Sequence, residues 1–333
     1  MSARLRSPRA LALLALAAFV IVFPLFASSF WVVSIAIKSL WLGAIAVSLI
    51  FLAGTVGLVS LAQTAIYGTA GYVVANLTVM QGWSGWPAAL VGVLAAVVVA
   101  VLIALISART TGIYFLMITF AIAVFLYFFA LQYRPFTNGF SGINGVEAPN
   151  LLGLSLRDPT NFYYLALAVA LLAYLAVRHV IRSPFGLTLQ GIRDSAQRMS
   201  ALGYDVAAHR VAAFAFAGFV AACGGVLAVW YNGQISPGSV DVTRTIDVLV
   251  VAVIGGLYRL EGAWIGALAV TLLTNFANDY TARFNSVIGL IFIAILVLSP
   301  GGISGIWESV ARRTGRLSRT RGNQPSAPQG AGG

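Results

Sequence analysis

Side chains able to carry chemistry are few in this sequence, and their spacing excludes most reactions. The only lysine, Lys38, lies in Ile35-Ala36-Ile37-Lys38-Ser39 with no glycine loop before it, so the chain cannot form a Walker-type phosphate loop. His179 and His209 are far apart in sequence and have no partner cysteine, which argues against a metal site. The single cysteine, Cys223, sits in an apolar, glycine-rich run and reads as a small packing residue; it allows no disulfide framework. Serine, histidine and aspartate converge in no local catalytic motif. The expectation is a chain that is not an enzyme, with no catalytic residue, metal or cofactor of its own.

One acidic residue stands out by position. Asp247 is the good candidate for a charge inside an apolar run, where a carboxylate facing lipid costs about 2.5–3.5 kcal/mol on insertion scales. It must therefore face the protein interior or water, unless the run begins close to it and leaves it at the interface. Both placements remain open from the sequence.

The elements that carry these residues are dictated by composition. The 333 residues are 60% hydrophobic and 9% charged, with a mean hydropathy of +0.93, too apolar for a water-facing surface. In lipid every backbone polar group needs an internal partner, and runs of about twenty apolar residues select helices over barrel strands. The net charge of +11 comes from arginines between hydrophobic runs, not from a basic patch on a soluble domain, so no nucleic-acid partner is expected. Membrane lipid is the expected surrounding.

Hydrophobic runs lie near residues 10–33, 40–58, 61–80, 87–107, 113–133, 162–181, 211–231, 243–257, 261–278 and 284–299. The fold class expected is an all-α polytopic membrane protein with about ten transmembrane helices; eight spans plus re-entrant pieces is the alternative. Arg4, Arg6 and Arg9 before the first run resemble a signal peptide's basic flank, but the run is long enough to be a retained span. With the N-terminus inside, the outer side receives only Lys38, Arg134, Arg157, Arg244 and Arg283 of the 20 basic residues. The other fifteen fall inside, as positive-inside topology requires, and both termini are then cytoplasmic. The weakest span is the eighth, since Thr245 to Leu257 rises only about 20 Å against a hydrocarbon core of about 30 Å; a broken helix entered from Ser239 fits better. The expected organisation is a cytoplasmic N-terminus over 1–9, a transmembrane domain over 10–307 with a cytoplasmic loop at 182–210, and a basic disordered tail over 308–333.

That loop has the clearest local signals. Ser183-Pro184 supplies a cap and a first-turn proline, and Gly203 a stop, predicting one helix to about Leu202. Phe185, Leu189, Ile192, Ala196 and Met199 share one stripe; Gln190, Arg193, Asp194, Gln197 and Arg198 lie off it. Such a helix could lie in the headgroups or dock on a soluble partner, and periodicity alone does not choose.

Family motifs do choose. Ser183-Pro184-Phe185-Gly186, Ile192-Arg193-Asp194 and Ala201-Leu202-Gly203-Tyr204, followed by Ala217-Gly218 and Gly224-Gly225, resemble the coupling segment and next span of branched-chain amino acid ABC importer permeases of the LivM type. Ile235-Ser236-Pro237, Val253-Ile254-Gly255-Gly256-Leu257, Gly262, Gly266 and Leu298-Ser299-Pro300-Gly301-Gly302-Ile303 follow in matching order. Arg109, Gly112-Ile113-Tyr114-Phe115 and Thr137-Asn138-Gly139-Phe140-Ser141-Gly142 also fit, and the resemblance covers about residues 40–307. The chain departs from the pattern at Tyr258-Arg259 and Glu261, where small residues are usual, and matches loosely over Gly57-Leu58-Val59-Ser60-Leu61-Ala62-Gln63.

The resemblance implies a permease subunit in a bacterial inner membrane. Its implied partners are a second homologous permease, two cytoplasmic ATPases on which ATP binds, and an extracytoplasmic solute-binding protein. It further implies ATPase-coupling roles for Phe185, Gly186, Leu189, Ile192, Arg193, Asp194, Arg198, Met199, Leu202 and Gly203. Asn138, Ser141, Gly142, Asn144 and Asp247 become candidates for the substrate path or for binding-protein contact. The runner-up from chemistry alone is a stand-alone secondary transporter or channel for a small polar solute that depends on Asp247, with a structural scaffold third.

Overall fold

The computed structural model describes residues 20, 22–24, 26–150, 153, 155–257, 259–280 and 289. The expected N-terminal segment, half of the first hydrophobic run, the run at 284–299 apart from residue 289, the closing motif at 298–303, Tyr258 and the basic tail lie outside these residues.

Within them the chain is helical almost throughout. Helix α1 (Trp31–Val56) is one 26-residue rod that opens and closes with π-helical turns. Helix α2 (Gln63–Ala75) continues through the π-turn Asn76–Met80. Helices α3 (Gly85–Ser107), α4 (Gly112–Gln132) and α5 (Pro159–Arg182) follow, then the short pair α6 (Pro184–Asp194) and α7 (Ala196–Ala201). Helix α8 (Val206–Asn232), the short α9 (Val242–Gly255) and α10 (Gly262–Tyr280) complete the set. Five of these, α1, α3, α4, α5 and α8, are long and apolar enough to cross a membrane.

Most boundaries follow the hydrophobic runs, but one shifts. The sequence placed a break near Lys38; the helix instead continues from Trp31 through Lys38, and the break falls at Ala27–Ser28. Apolar residues occupy both sides of Lys38, so no local signal opposes the longer helix.

Helices α1, α2 and α8 form the centre, with α8 packed on α1, α2 and α3, and α10 packed on α1 and α9. Their contact depends on glycine. A side chain at Gly225 would meet the backbone of Tyr67 at 2.9 Å, one at Gly71 would meet Val229 at 2.7 Å, and one at Gly224 would meet Ile45 at 2.7 Å. Small residues thus let these backbones approach in lipid, where packing and not water exclusion holds helices together. The outer helices show the complementary pattern: Leu90, Leu94, Val98 and Leu102 of α3 recur every four residues and are exposed, forming an apolar stripe suited to hydrocarbon.

The two ends of the bundle differ. At one end gather the C-termini of α1, α3 and α5, the pair α6–α7 and the start of α8, with Arg109, Arg178, Arg182, Arg193, Arg198 and Arg210. Two of these arginines cap helices: Arg210 Nη1 donates to Ala108 O at 3.0 Å, closing α3, and Arg193 Nη1 donates to Gly54 O, closing α1. A cation at these C-terminal carbonyls satisfies orphan acceptors and the helix dipole together. At the opposite end a two-residue antiparallel ribbon, β1 (Ile143–Asn144) with β2 (Gln234–Ile235), pairs Ile143 with Ile235 and Asn144 with Gln234.

Candidate functional site

The predicted coupling segment is two helices and not one. Ser183 accepts from Gly186 N at 3.3 Å to start α6 behind Pro184, as expected. Ser195 then adopts an extended backbone and accepts from Arg198 N at 3.4 Å to start α7. A serine that can cap its own downstream turn competes with helix continuation, which explains the break. In a continuous helix residues 191 and 199 would stand about 12 Å apart. Instead Met199 Sδ lies 2.9 Å from where a Gly191 Cβ would stand, so α7 folds back over α6. The stop falls where predicted, with Gly203 in the left-handed region at φ 90°.

The stripe that the periodicity marks points inward. Gly186, Leu189 and Ile192 are buried, Leu189 at 0% and Ile192 at 2% exposure, and α6 packs on α5, α8 and the end of α1. Phe185 stacks on His209 at 5.9 Å, joining α6 to α8. Hence the residues uncovered on this segment are others: Leu187 at 64%, Leu202 at 73%, Tyr204 at 43%, together with Arg193, Asp194, Gln197 and Arg198. Amphipathicity found the buried face of an elbow; of the two exposed leucines, Leu202 lay in a family motif and Leu187 had no sequence signal.

Arg193 links this elbow to the bundle. Its guanidinium pairs with Asp194 at 3.1 Å as well as capping Gly54 O, and its Cγ would lie 2.6 Å from a Cβ at Gly57. Gly57 ends α1 at φ 76°, a conformation glycine adopts without cost, so the turn leaves room for the arginine stem. The residue that departs from the family pattern, Glu261, has a comparable role. Its Oε1 accepts from Tyr174 Oη at 2.7 Å, and Tyr174 Oη accepts from Arg178 Nη1 at 3.0 Å, tying the α9–α10 turn to α5.

At the opposite end, Asn138 takes a left-handed backbone at φ 61° and its Nδ2 donates to Gly142 O at 2.8 Å. Gly142 is buried against Ser236, whose Cα would lie 2.8 Å from a Cβ there. These two residues shape the turn that sets the ribbon, whereas Ser141, Asn144 and the neighbouring Phe140, at 86% exposure, are open. A cleft of about 750 Å³ beside this loop is lined by Trp83, Trp86, Glu147 and Arg157 and holds none of the expected path residues.

The broken span takes the form the sequence suggested. From β2 the chain runs through a turn at Pro237–Ser239, where Ser236 and Ser239 cap each other, into α9, which has 14 residues. Tyr67 Oη donates to Ser239 O. Ser48, hydrogen-bonded to Gln63 at 3.0 Å, fixes the depth of that contact. Ser48 stands about 12 Å along α1 from Val56, and Tyr67 about 6 Å further along α2, at 1.5 Å per residue. The irregular segment and the start of α9 thus stand about 18 Å along the bundle from Val56, beside the middle of α1 and α2.

Here charge collects. Asp241 caps α9 by accepting from Arg244 N at 2.8 Å, and Arg244 Nη1 pairs with Asp247 Oδ2 at 3.2 Å. Lys38 is the next charge, with Arg244 and Asp247 as its electrostatic neighbours. Asp247 is therefore not alone. Lys38 and Arg244, read from the sequence as outer-side charges, sit on the helices themselves. The spacing of Asp241, Arg244 and Asp247, three residues each, is a helix-face signal that could have revealed the group. Among the described residues no three His, Cys, Asp or Glu side chains come together as a metal site.

Apolar helices closed by arginines, a glycine-packed centre, a half-length helix and an anchored elbow together make a multi-pass membrane protein. Residues 31–299 match the family described as the permease component of branched-chain amino acid transport systems, and the chain belongs to that family. It is 22% identical over 273 residues to the high-affinity branched-chain amino acid transport system permease protein LivM of Escherichia coli K12, covering 75% of this chain and 64% of that protein. It is 21% identical over 273 residues to the LivM protein of Salmonella typhimurium, with the same coverage of 75% and 64%. To the probable branched-chain amino acid transport permease protein LivH of Methanocaldococcus jannaschii it is 26% identical over 141 residues, 39% of this chain and 44% of that protein. The chain thus spans 64% of the length of the bacterial relatives it matches. No solved structure matches the chain.

Proposed function

We propose that this chain is the membrane-spanning permease subunit of an ABC importer that carries branched-chain or related amino acids into the cytoplasm. Two ATPase subunits, a second homologous permease and an extracytoplasmic binding protein complete it, in a bacterial inner membrane. The reading includes about ten spans with both termini cytoplasmic, which puts the arginine-rich end inside. Family membership supports the transported class. Relatives named both LivM and LivH support a paired, homologous permease.

The observation that carries the proposal is the α6–α7 elbow. It is rooted in the bundle by Leu189, Ile192 and Arg193 and leaves Leu187, Leu202, Tyr204 and Arg198 uncovered. ATP-driven closure of the partner subunits would move this elbow, and Arg193 would pass the movement to α1 as a rigid-body shift. Leucine, isoleucine and valine carry no group that needs chemistry, so the chain has only to open and close a path.

The test is transport. The complex copurified on a tagged copy of this chain is reconstituted in proteoliposomes with ATP inside, and uptake of labelled leucine is followed with the binding protein outside. ATP-dependent uptake coupled to hydrolysis is expected. Uptake that follows a proton or sodium gradient without any copurified ATPase would instead establish the secondary-transporter reading.

A further inference from the structure

The elbow is seated on α5 without slack. A side chain at Gly186 would meet the Ile181 carbonyl carbon at 2.6 Å, and Gln190 Nε2 donates to Ile181 O at 3.4 Å, so α6 rests on the last turn of the helix before it. A second joint is as close. A side chain at Gly262 would meet the Gly255 carbonyl carbon at 2.7 Å, and one at Gly266 would meet Gly255 N at 2.8 Å, which locks α9 and α10 into a hairpin. Backbone contacts this close make α5 with the elbow one rigid unit and the α9–α10 hairpin another.

Long side chains bridge the two units. Helix α5 packs on α1, α6 and α8, while the hairpin packs on α1 and α2, and direct packing of α5 on the hairpin is slight. Arg178 Nη1 donates to Tyr174 Oη at 3.0 Å, and Tyr174 Oη donates to Glu261 Oε1 at 2.7 Å. The Arg178 guanidinium also stands 5.8 Å from the centre of the Tyr174 ring, and Trp264 of α10 packs T-shaped against that ring at 5.9 Å. A phenol donating to a carboxylate makes a charge-assisted bond, and a cation on the phenol oxygen polarises it further. Glu261 directly precedes α10, where the helix N-terminus favours a carboxylate. Tyr174 stands about 12 Å along α5 from Arg182, next to which the elbow begins. An exposed polar bridge of this kind adds little to stability, but it fixes the distance between two units that otherwise barely touch.

We propose that Tyr174 and Glu261 form a latch that passes displacement of the elbow through α5 to the α9–α10 hairpin, a second route beside that of Arg193 to α1. Both are positioning residues, acting on the hairpin and not on substrate. The latch rests on the importer reading and adds to it the joint through which ATP-driven motion reaches the half-length helix. Glu261 departs from the family pattern, so the latch is a device of this chain. With the bond broken, the elbow still follows the ATPases while the hairpin lags, and hydrolysis runs with less transport.

The experiment uses the same reconstituted complex, isolated as assembled protein, carrying Tyr174→Phe, Glu261→Ala, both together, or Glu261→Gln. The readout is labelled leucine taken up per ATP hydrolysed, with the melting midpoint measured alongside. Expected are assembled complexes that melt with wild type, and uptake per ATP lowered at least about fivefold by Tyr174→Phe and by Glu261→Ala. The double variant should be no worse than the lower single within about twofold, because both changes remove one bond. Glu261→Gln keeps an amide oxygen that accepts from the phenol and should retain at least about half of the wild-type ratio. Ratios within about twofold of wild type in Tyr174→Phe and Glu261→Ala would overturn the latch. So would a double variant whose loss is the product of the two single losses, or a Glu261→Gln as deficient as Glu261→Ala. Variants that do not assemble make the bond a structural contact and overturn the latch as well. If wild type imports nothing on ATP, the importer reading fails and the latch falls with it; wild-type import beside unaffected variants removes the latch alone.

Discussion

Replacing Ile192 with aspartate separates a buried anchor from a docking contact. Ile192 is 2% exposed on the inner face of α6, against the end of α1 and α8. Substitution removes about 1.5–3 kcal/mol of apolar burial and places a carboxylate with no cation within the packed face, a desolvation cost of several kcal/mol more. The sum exceeds the roughly 4–5 kcal/mol that marks exceptional destabilisation. Leu187, five residues earlier and 64% exposed, carries none of this, and Leu187→Asp should change stability by no more than about 0.5 kcal/mol. The assay is a thermal-stability series in detergent by size-exclusion chromatography, run beside a pull-down scored for copurifying ATPase. Ile192→Asp should lose the monodisperse peak altogether, whereas Leu187→Asp should keep it and lose ATPase. An Ile192→Asp protein that melts with wild type and only loses its partner would refute the inward-facing stripe.

Three further outcomes follow from single contacts. Gly57→Ala forces an L-residue to φ 76° at a cost of about 1–2 kcal/mol and crowds the Arg193 stem, so the melting midpoint should fall in the same detergent series. Gly225→Val drives a side chain into the Tyr67 backbone, and overpacking of about 1–3 kcal/mol should broaden or abolish the monodisperse peak. Tyr67→Phe leaves Ser239 O without its donor, costing about 0.5–1.5 kcal/mol, and should lower the midpoint without changing ATPase copurification.

The five long apolar helices, the elbow's start at Ser183, its stop at Gly203 and the short helix after Ser239 were legible because each rests on a local rule: an apolar run, a cap, a left-handed glycine or a length. The family was legible from motifs in order. The orientation of the stripe was not, since an amphipathic helix has the same period whether its apolar face meets a partner or its own bundle. The split at Ser195 was also hidden, because serine caps and serine in mid-helix differ only in the backbone that tertiary contacts select.

The sequence by itself determined that this is a helical membrane protein, because apolar length and backbone hydrogen bonding leave lipid-embedded chains so few solutions, and its ordered motifs carried the resemblance to a branched-chain amino acid permease family. Only the tertiary structure decided which charges meet. Lys38 and Asp247 stand on helices separated by most of the chain, and no spacing rule connects them. Packing of α1 against α9 and α10 brings these helices together, and the bond from Tyr67 to Ser239 sets where α9 begins along α2.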